Sequence, residues 1–283
     1  MIYVITHKVF EDEKLNKELY KVLHVGKNKD SKDDYIRDDT GDNISEKNPE
    51  YCELTGLYWI WKNAAEEPDD ITGIVHYRRF FTDKKGYADW KKRRKMPEIL
   101  DNENGKLNLE DDQVILPSKY TTLSTLRNSY KRCHDIRDLE YVRQAVKRLY
   151  PGYVESFDKV LSGHKGYYFN MFICKRKVLE RYCEWLFPLL FYTESIKKTE
   201  EAASSGEINV LCGQVNGYQT RVYGFLAERL LQVWINHEGL NIVEKPVFNT
   251  DEPPVGFIER NFIRVKYLWF KHVLHRKSKY INK

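Results

Sequence analysis

The chain is short of the features that assign many proteins at a glance. It has no apolar run near the ~18–20 residues that a spanning helix needs. Its first residues, Met1-Ile2-Tyr3-Val4-Ile5-Thr6-His7-Lys8, have no basic start and too short an apolar stretch for a secretory signal, so a cytoplasmic protein is expected. Cysteine is scarce: five residues, Cys52, Cys133, Cys174, Cys183 and Cys212, with no Cys-x-x-Cys pair. That excludes a zinc knuckle and argues against a disulfide framework; reduced, buried thiols are expected instead. No His-x-x-x-His spacing suggests a zinc hydrolase. Gly-x-x-x-x-Gly-Lys-Ser/Thr, Gly-x-Gly-x-x-Gly and Gly-x-Ser-x-Gly are all missing, against a P-loop NTPase, a Rossmann oxidoreductase and a typical serine hydrolase. No repeat and no Pro/Gly/Ser-rich linker divides the 283 residues, which suit one large domain or two small ones.

What is present is aromatic and mildly basic. Aromatic residues make up 14% of the chain and the net charge is +5. The excess of cations gathers at the end: Asn261 to Lys283 has no Asp or Glu but carries Arg264, Lys266, Lys271, Arg276, Lys277, Lys279 and Lys283. Phe262, Ile263, Val265, Leu268, Trp269, Phe270 and Val273 interleave with these cations. Residues 256–283 therefore read as a basic amphipathic helix, lying either on an anionic membrane surface or on the core with its cations outward.

Short apolar runs alternate with longer amphipathic ones, the pattern of an α/β domain. Strands are expected at Ile2–Ile5, Val22–Val25, Ile71–Val75, Val114–Leu116, Tyr167–Cys174 and Asn241–Phe248. Helices are expected at Asp12–Val22, after Pro49, between Thr122 and Leu161, at Lys177–Tyr192 and at Gly224–Ile235. Lys84–Asp111 reads as a polar insertion and Thr193–Gln214 as an exposed loop.

Several segments can carry chemistry. Asp38-Asp39-Thr40-Gly41-Asp42-Asn43-Ile44-Ser45 is either a set of tight turns or a nucleotide-contacting loop. Gly73-Ile74-Val75-His76-Tyr77-Arg78-Arg79 is an apolar strand running into cations. Ligands of open α/β sheets sit at strand carboxyl ends, and guanidinium forks match phosphate oxygens. Strand alternation would put only one pair of these four residues in a pocket unless the strand ends there. Asn170, between aromatics, needs buried partners and either reads a hydroxyl or makes a structural bond. Glu228, shortly after Gly224, is either a general base with a pKa raised by burial or one half of an ion pair with Arg229 or Arg221.

Together these blocks resemble a bacterial family, a domain of unknown function found among glycosyltransferases of capsular and exopolysaccharide biosynthesis. The resemblance rests on Gly41-Asp42-Asn43-Ile44-Ser45, Lys47-Asn48-Pro49-Glu50-Tyr51-Cys52-Glu53-Leu54-Thr55, Tyr58-Trp59-Ile60-Trp61-Lys62-Asn63, His76-Tyr77-Arg78-Arg79-Phe80-Phe81, Asn170-Met171-Phe172-Ile173 and Gly224-Phe225-Leu226-Ala227-Glu228-Arg229-Leu230, and spans about Ile2 to Val247. It implies an α/β, GT-A-like, single Rossmann-type nucleotide-sugar-binding domain with a mixed central sheet over residues 1–255, followed by the basic C-terminal helix. It implies transfer of a sugar, galactofuranose first, from a UDP-sugar donor to a lipid-linked or oligosaccharide acceptor. Thr6, His7, Lys8, Asp42, Asn43, His76, Tyr77, Arg78 and Arg79 would hold the donor's nucleotide and diphosphate. Asn170, Met171 and Arg229 would meet sugar or acceptor, and Glu228 would be the base. Where this fold normally carries a metal-binding Asp-x-Asp, the chain has His76-Tyr77-Arg78. Arginine can neutralise a leaving diphosphate, so no metal or other cofactor is expected to be required, although Asp83 lies near enough in sequence to restore a metal site. The implied place is the inner face of the cell membrane, reached through the anionic surface that the tail would bind. A nucleic-acid-binding module and a non-catalytic scaffold of a polysaccharide assembly are the competing readings. The first ranks low, because no nucleic-acid motif is present and acids balance the body's cations.

Overall fold

The computed structural model describes residues 1–13, 15–27, 30–93, 97–100, 107–203 and 220–251. The basic segment 256–283 and Cys212 lie outside the described residues. In chain order the strands are β1 (Ile2–Thr6), β2 (Tyr20–His24), β3 (Ile36–Arg37), β4 (Ile71–His76), β5 (Arg79–Phe81), β6 (Gln113–Pro117), β7 (Tyr120–Thr121), β8 (Lys165–Gly166), β9 (Phe172–Lys175), β10 (Asn241–Lys245) and β11 (Val247–Asn249). The helices are α1 (Asn48–Tyr51), α2 (Leu54–Asn63), α3 (Lys84–Arg93), α4 (Leu126–Cys133), α5 (Arg137–Leu149), α6 (Val154–Ser162), α7 (Arg176–Ala203) and α8 (Val222–Glu238).

The central sheet runs β10-β6-β9-β4-β1-β2-β3. β1 pairs in parallel with β2 and β4, and β10 pairs in parallel with β6. β9 runs antiparallel to both β4 and β6, so the sheet is mixed. All five residues of β1 are buried, which is why its sequence is continuously apolar up to Thr6. Alternation still sorts the two faces: Tyr3 and Ile5 join one core with Leu54, Leu57 and the helices, while Ile2 and Val4 join another with Leu15, Val75 and Ile115. Helix α2 packs tightly on the sheet because Gly56 has no side chain. A Cβ there would come within 2.8 Å of Ile5 Cδ1.

Two helix ends are satisfied by side chains from elsewhere. Arg176 is buried, and its Nη1 and Nη2 donate to the last-turn carbonyls of Ile60 (2.9 Å) and Trp61 (2.7 Å) in α2. Pro188 inside α7 cannot donate to Glu184, and that freed carbonyl accepts from the Tyr150 hydroxyl at 3.4 Å.

Four local expectations need correction. Asp12–Val22 is not a helix; turns lead into β2 at Tyr20, while Leu15 and Leu19 are buried as the periodicity required. Tyr167–Cys174 is not one strand: Phe169 and Asn170 have φ of 81° and 49°, a left-handed turn before β9. Helix α7 continues to Ala203, so Thr193–Ala203 is helical where a loop was expected; the remainder of that expected loop lies outside the described residues. Within the polar insertion, Lys84–Arg93 is helical.

Candidate active site

A cleft of about 830 Å³ opens at the carboxyl ends of β1 and β4, where parallel strands leave room for a ligand. Thr6 and His7 end β1 at its floor. The Thr6 hydroxyl and the Lys8 backbone bond one another locally, turning the chain away from the strand. Strand β4 stops at His76, Tyr77 and Arg78 form a tight turn, and β5 starts at Arg79. The alternation of a continuing strand therefore does not apply, and His76, Tyr77, Arg78 and Arg79 all line the cleft.

Cations cluster around Tyr77. Lys8 Nζ lies 5.2 Å and Arg78 Cζ 5.5 Å from its ring centroid, and His7 meets the ring edge-on at 5.4 Å. Arg79 Cζ sits 4.7 Å from the Phe169 ring. Arg221, capping the amino end of α8, lines the same cleft. Burial, and then the charges of Lys8, Arg221 and Arg78, hold the His7 pKa down. The Nε of Arg78 is buried with no acceptor, while its Nη1 reaches Asp251 at 3.5 Å.

Carboxylates come from α2 and α8. Glu228 lines the cleft with its side chain 14% exposed. One oxygen accepts from Phe169 N at 2.8 Å and the other from Arg229 Nη1 at 2.6 Å. Burial raises its pKa, with the Glu53 carboxylate adding to the rise, against Arg229 and the Phe169 amide. Glu53, just before α2, accepts from Asn170 Nδ2 at 2.5 Å. Asn170 also donates to Gly224 O at 2.9 Å, and its Oδ1 is buried without a partner. His76 Nε2 donates to Phe169 O at 2.5 Å, and burial keeps its pKa low despite Glu53. The left-handed turn at Phe169–Asn170 is thus clamped by Glu53, His76, Gly224 and Glu228. Burial and Glu53 push the neighbouring Cys52 thiol up to about 12, so it is no nucleophile at neutral pH.

The far wall is aromatic: Tyr120, Tyr168, Phe169, Phe225 and His134. Arg229 is buried between the Tyr130 and Tyr168 rings, 5.3 and 5.4 Å away, and donates to Phe225 O.

Five expected site residues do not line the cleft; one of them, Asn170, is buried and holds the turn through its bonds to Glu53 and Gly224 O. Met171 is fully buried in the core and does not line the cleft. Asp42 and Asn43 do not line it either; the Asp42 carboxylate accepts from Tyr58, and Asn63 ties the loop backbone onto α2. The same loop is anchored by buried Asp38, which accepts from Gly26 N and Ser45 Oγ, so the turn reading describes it. Lys8 touches Tyr77 but is not part of the lining. Glu53, Arg221 and Tyr120 join the site although none was among the expected site residues; only topology brings these distant segments together.

The residues at the end of β4 do not fit a divalent cation. They are an imidazole committed to a carbonyl, a phenol and two guanidiniums. Asp83 instead accepts from Gly86 N at the start of α3 and does not line the cleft. Among the described residues no three His, Cys, Asp or Glu side chains gather as metal ligands.

Fold and site thus define a mixed α/β protein whose strand ends hold a cationic, carboxylate-bearing cleft. The chain belongs to the family described as "Domain of unknown function (DUF4422)", whose model matches residues 1–239. Among solved structures it is similar to the apo structure of the bifunctional glycosyltransferase WbbM, with a TM-score of 0.67 and 29% sequence identity. That likeness covers 89% of this chain and 45% of WbbM, so the chain spans less than half of that protein's length. No curated protein matches the chain.

Proposed function

We propose that the protein is a glycosyltransferase. It takes a sugar, galactofuranose first, from a UDP-sugar and passes it to a lipid-linked or oligosaccharide acceptor of capsular or exopolysaccharide synthesis, without a divalent metal. The observation that carries this reading is the division of the cleft: His7, Arg78, Arg79 and Arg221 around the strand ends, and a half-buried carboxylate of raised pKa, Glu228, from α8. The unpartnered Nε of Arg78 suits a donor that meets phosphate oxygen. Likeness over most of the chain to a protein named as a glycosyltransferase supports the same class.

In this reading the acceptor hydroxyl oxygen attacks the anomeric carbon as the bond from that carbon to the diphosphate oxygen breaks. The electron pair leaves with UDP, and Arg78, Arg79 and Arg221 stabilise the growing charge on the diphosphate. Glu228 takes the proton from the acceptor hydroxyl. Its raised pKa makes it a stronger base than an ordinary carboxylate, and the Arg229 and Phe169 hydrogen bonds orient it. Direct displacement of this kind inverts the anomeric centre.

The test is UDP release from a panel of UDP-sugars, including UDP-galactofuranose and UDP-galactopyranose, with and without EDTA. Hydrolysis of one donor at equal rates in both conditions is expected. Loss of that activity in EDTA contradicts the metal-free mechanism. Membrane binding of the purified protein with no turnover or binding of any UDP-sugar supports the scaffold reading instead.

A further inference from the structure

Strands β7 and β8 form a small antiparallel ribbon outside the central sheet, with Tyr120 opposite Gly166 and Thr121 opposite Lys165. The ribbon is firmly held: Thr122 N donates to His164 O and Leu126 N to Gly163 O, both at 2.8 Å, and α4 starts from it. It borders the cleft through Tyr120.

The ribbon and the residues just after β7 expose apolar groups close in sequence to positive charge. Tyr120 is 50% and Leu123 44% exposed, the two largest values among the exposed large hydrophobic side chains described. They stand three residues apart. The Tyr120 ring is fixed by edge contacts with Tyr168 (5.6 Å) and Phe169 (5.9 Å), so its exposure comes from the fold and not from a loose side chain. One isolated apolar side chain on a surface means little, but two within three residues of each other, one of them lining a cleft, ask for a partner.

Charge says which kind. The ribbon strands lie in two acid-free stretches, Gln113–His134 and Lys159–Leu179. Lys119, His164 and Lys165 are exposed on the ribbon, and Lys131 and Arg132 on α4. Two acids from other elements approach. Glu244 accepts from Lys119 N and the Tyr167 hydroxyl, and Glu140 pairs with Arg127. The Lys119 ammonium lies 4.9 Å from the Tyr167 ring centroid.

We propose that the β7–β8 ribbon docks on an anionic lipid bilayer. Tyr120 and Leu123 enter the headgroup boundary while Lys119 and Lys165 meet the lipid phosphates. Amphipathic aromatic rings favour that depth, and cations near an anionic surface add to binding. Docked this way, the cleft mouth faces the membrane, where a lipid-linked acceptor resides. That last step rests on the glycosyl-transfer reading; the docking does not.

The test uses the full chain and vesicles of phosphatidylcholine with or without phosphatidylglycerol. Sedimentation with vesicles is compared among wild type, Tyr120→Ser/Leu123→Ser and Lys119→Ser/Lys165→Ser, each checked for folding by thermal melting. Binding to the anionic vesicles alone is expected, with a loss of about tenfold or more in the apolar double variant. Hydrogen exchange of the wild type should slow over residues 118–124 and 163–166 when these vesicles are added. That measurement, with Leu123→Ser alone, decides the matter if the double variant does not fold. Three results overturn the proposal: no vesicle binding by wild type, equal binding by every variant, or exchange that slows elsewhere and not in the ribbon. A separate UDP titration of the wild type reports on the glycosyl-transfer reading, so the two fail independently.

Discussion

Asn170 holds together the turn on which the candidate site is built, and replacing it has a calculable cost. Its side chain is 4% exposed and donates to the Glu53 carboxylate at 2.5 Å and to Gly224 O at 2.9 Å. A hydrogen bond to a charged group contributes roughly 1.5–3 kcal/mol and a neutral one roughly 0.5–1.5 kcal/mol. Glu53 is only half-buried and regains water when Asn170 is removed, which places the loss near the lower end. Asn170→Gly is therefore expected to destabilise the protein by about 2–3 kcal/mol. Asn170→Ala carries a further penalty, because alanine in a left-handed conformation costs about 1 kcal/mol more than glycine. Urea unfolding followed by tryptophan fluorescence gives both values. The turn also presents Phe169 N to Glu228 and Phe169 O to His76, so UDP-sugar hydrolysis should fall in both variants under conditions where they remain folded. Stabilities within about 0.5 kcal/mol of wild type, or an alanine variant no worse than the glycine one, would refute the clamp.

Other predictions concern charge. Glu228→Gln should keep UDP affinity and lose transfer. In the wild type the rate should rise with pH through a limb above the ordinary glutamate range, because the base must be ionised and burial raises its pKa. Stability carries the opposite sign: a carboxyl raised on folding contributes fully below its unfolded pKa and loses that contribution as pH rises through the folded value. Glu228→Gln should flatten stability over that window in urea melts at stepped pH. Glu194 behaves in the other direction. Burial alone would raise its pKa, but hydrogen bonds from Lys198, Lys47 and Tyr51 outweigh this and hold it down to about 2. Its contribution is present above the ordinary glutamate pKa and is lost as pH falls towards 2, so Glu194→Gln should remove part of the acid sensitivity. Arg78→Ala and Arg79→Ala should each weaken UDP binding by about tenfold or more, as loss of a charge-assisted bond to phosphate implies.

The parts of the fold visible in the sequence are those where burial dictates pattern. The unbroken apolar run of β1 and the runs of β4 and β6 could be read directly, since strands covered on both faces have no polar side. The segment Asp12–Val22 misled because Leu15 and Leu19 at helical spacing can be buried equally well by turns packed on one face of the sheet. The cationic end of the site was legible in His76-Tyr77-Arg78-Arg79, but not that all four side chains share it; that depends on where β4 stops. Asn170 was visible as an amide among aromatics. Its role in a left-handed turn was not, although asparagine is one of the few non-glycine residues that tolerate that conformation. Asp42 and Asn43 misled in the opposite way: polar turn residues resemble ligand-binding ones, and only the contacts with Tyr58 and Asn63 show them serving α2. Glu53 and Arg221 gave no clear signal because their neighbours in the cleft are far away in sequence.

In the proposed function the cations at the ends of β1 and β4 bind the diphosphate of a nucleotide-sugar. Calorimetric titration with UDP, on wild type and on the Arg78→Ala/Arg79→Ala double variant, tests it most directly. Saturable one-site binding by the wild type is expected, with its loss in a double variant whose melting profile is unchanged. No binding by the wild type, or equal binding by both proteins, would contradict it.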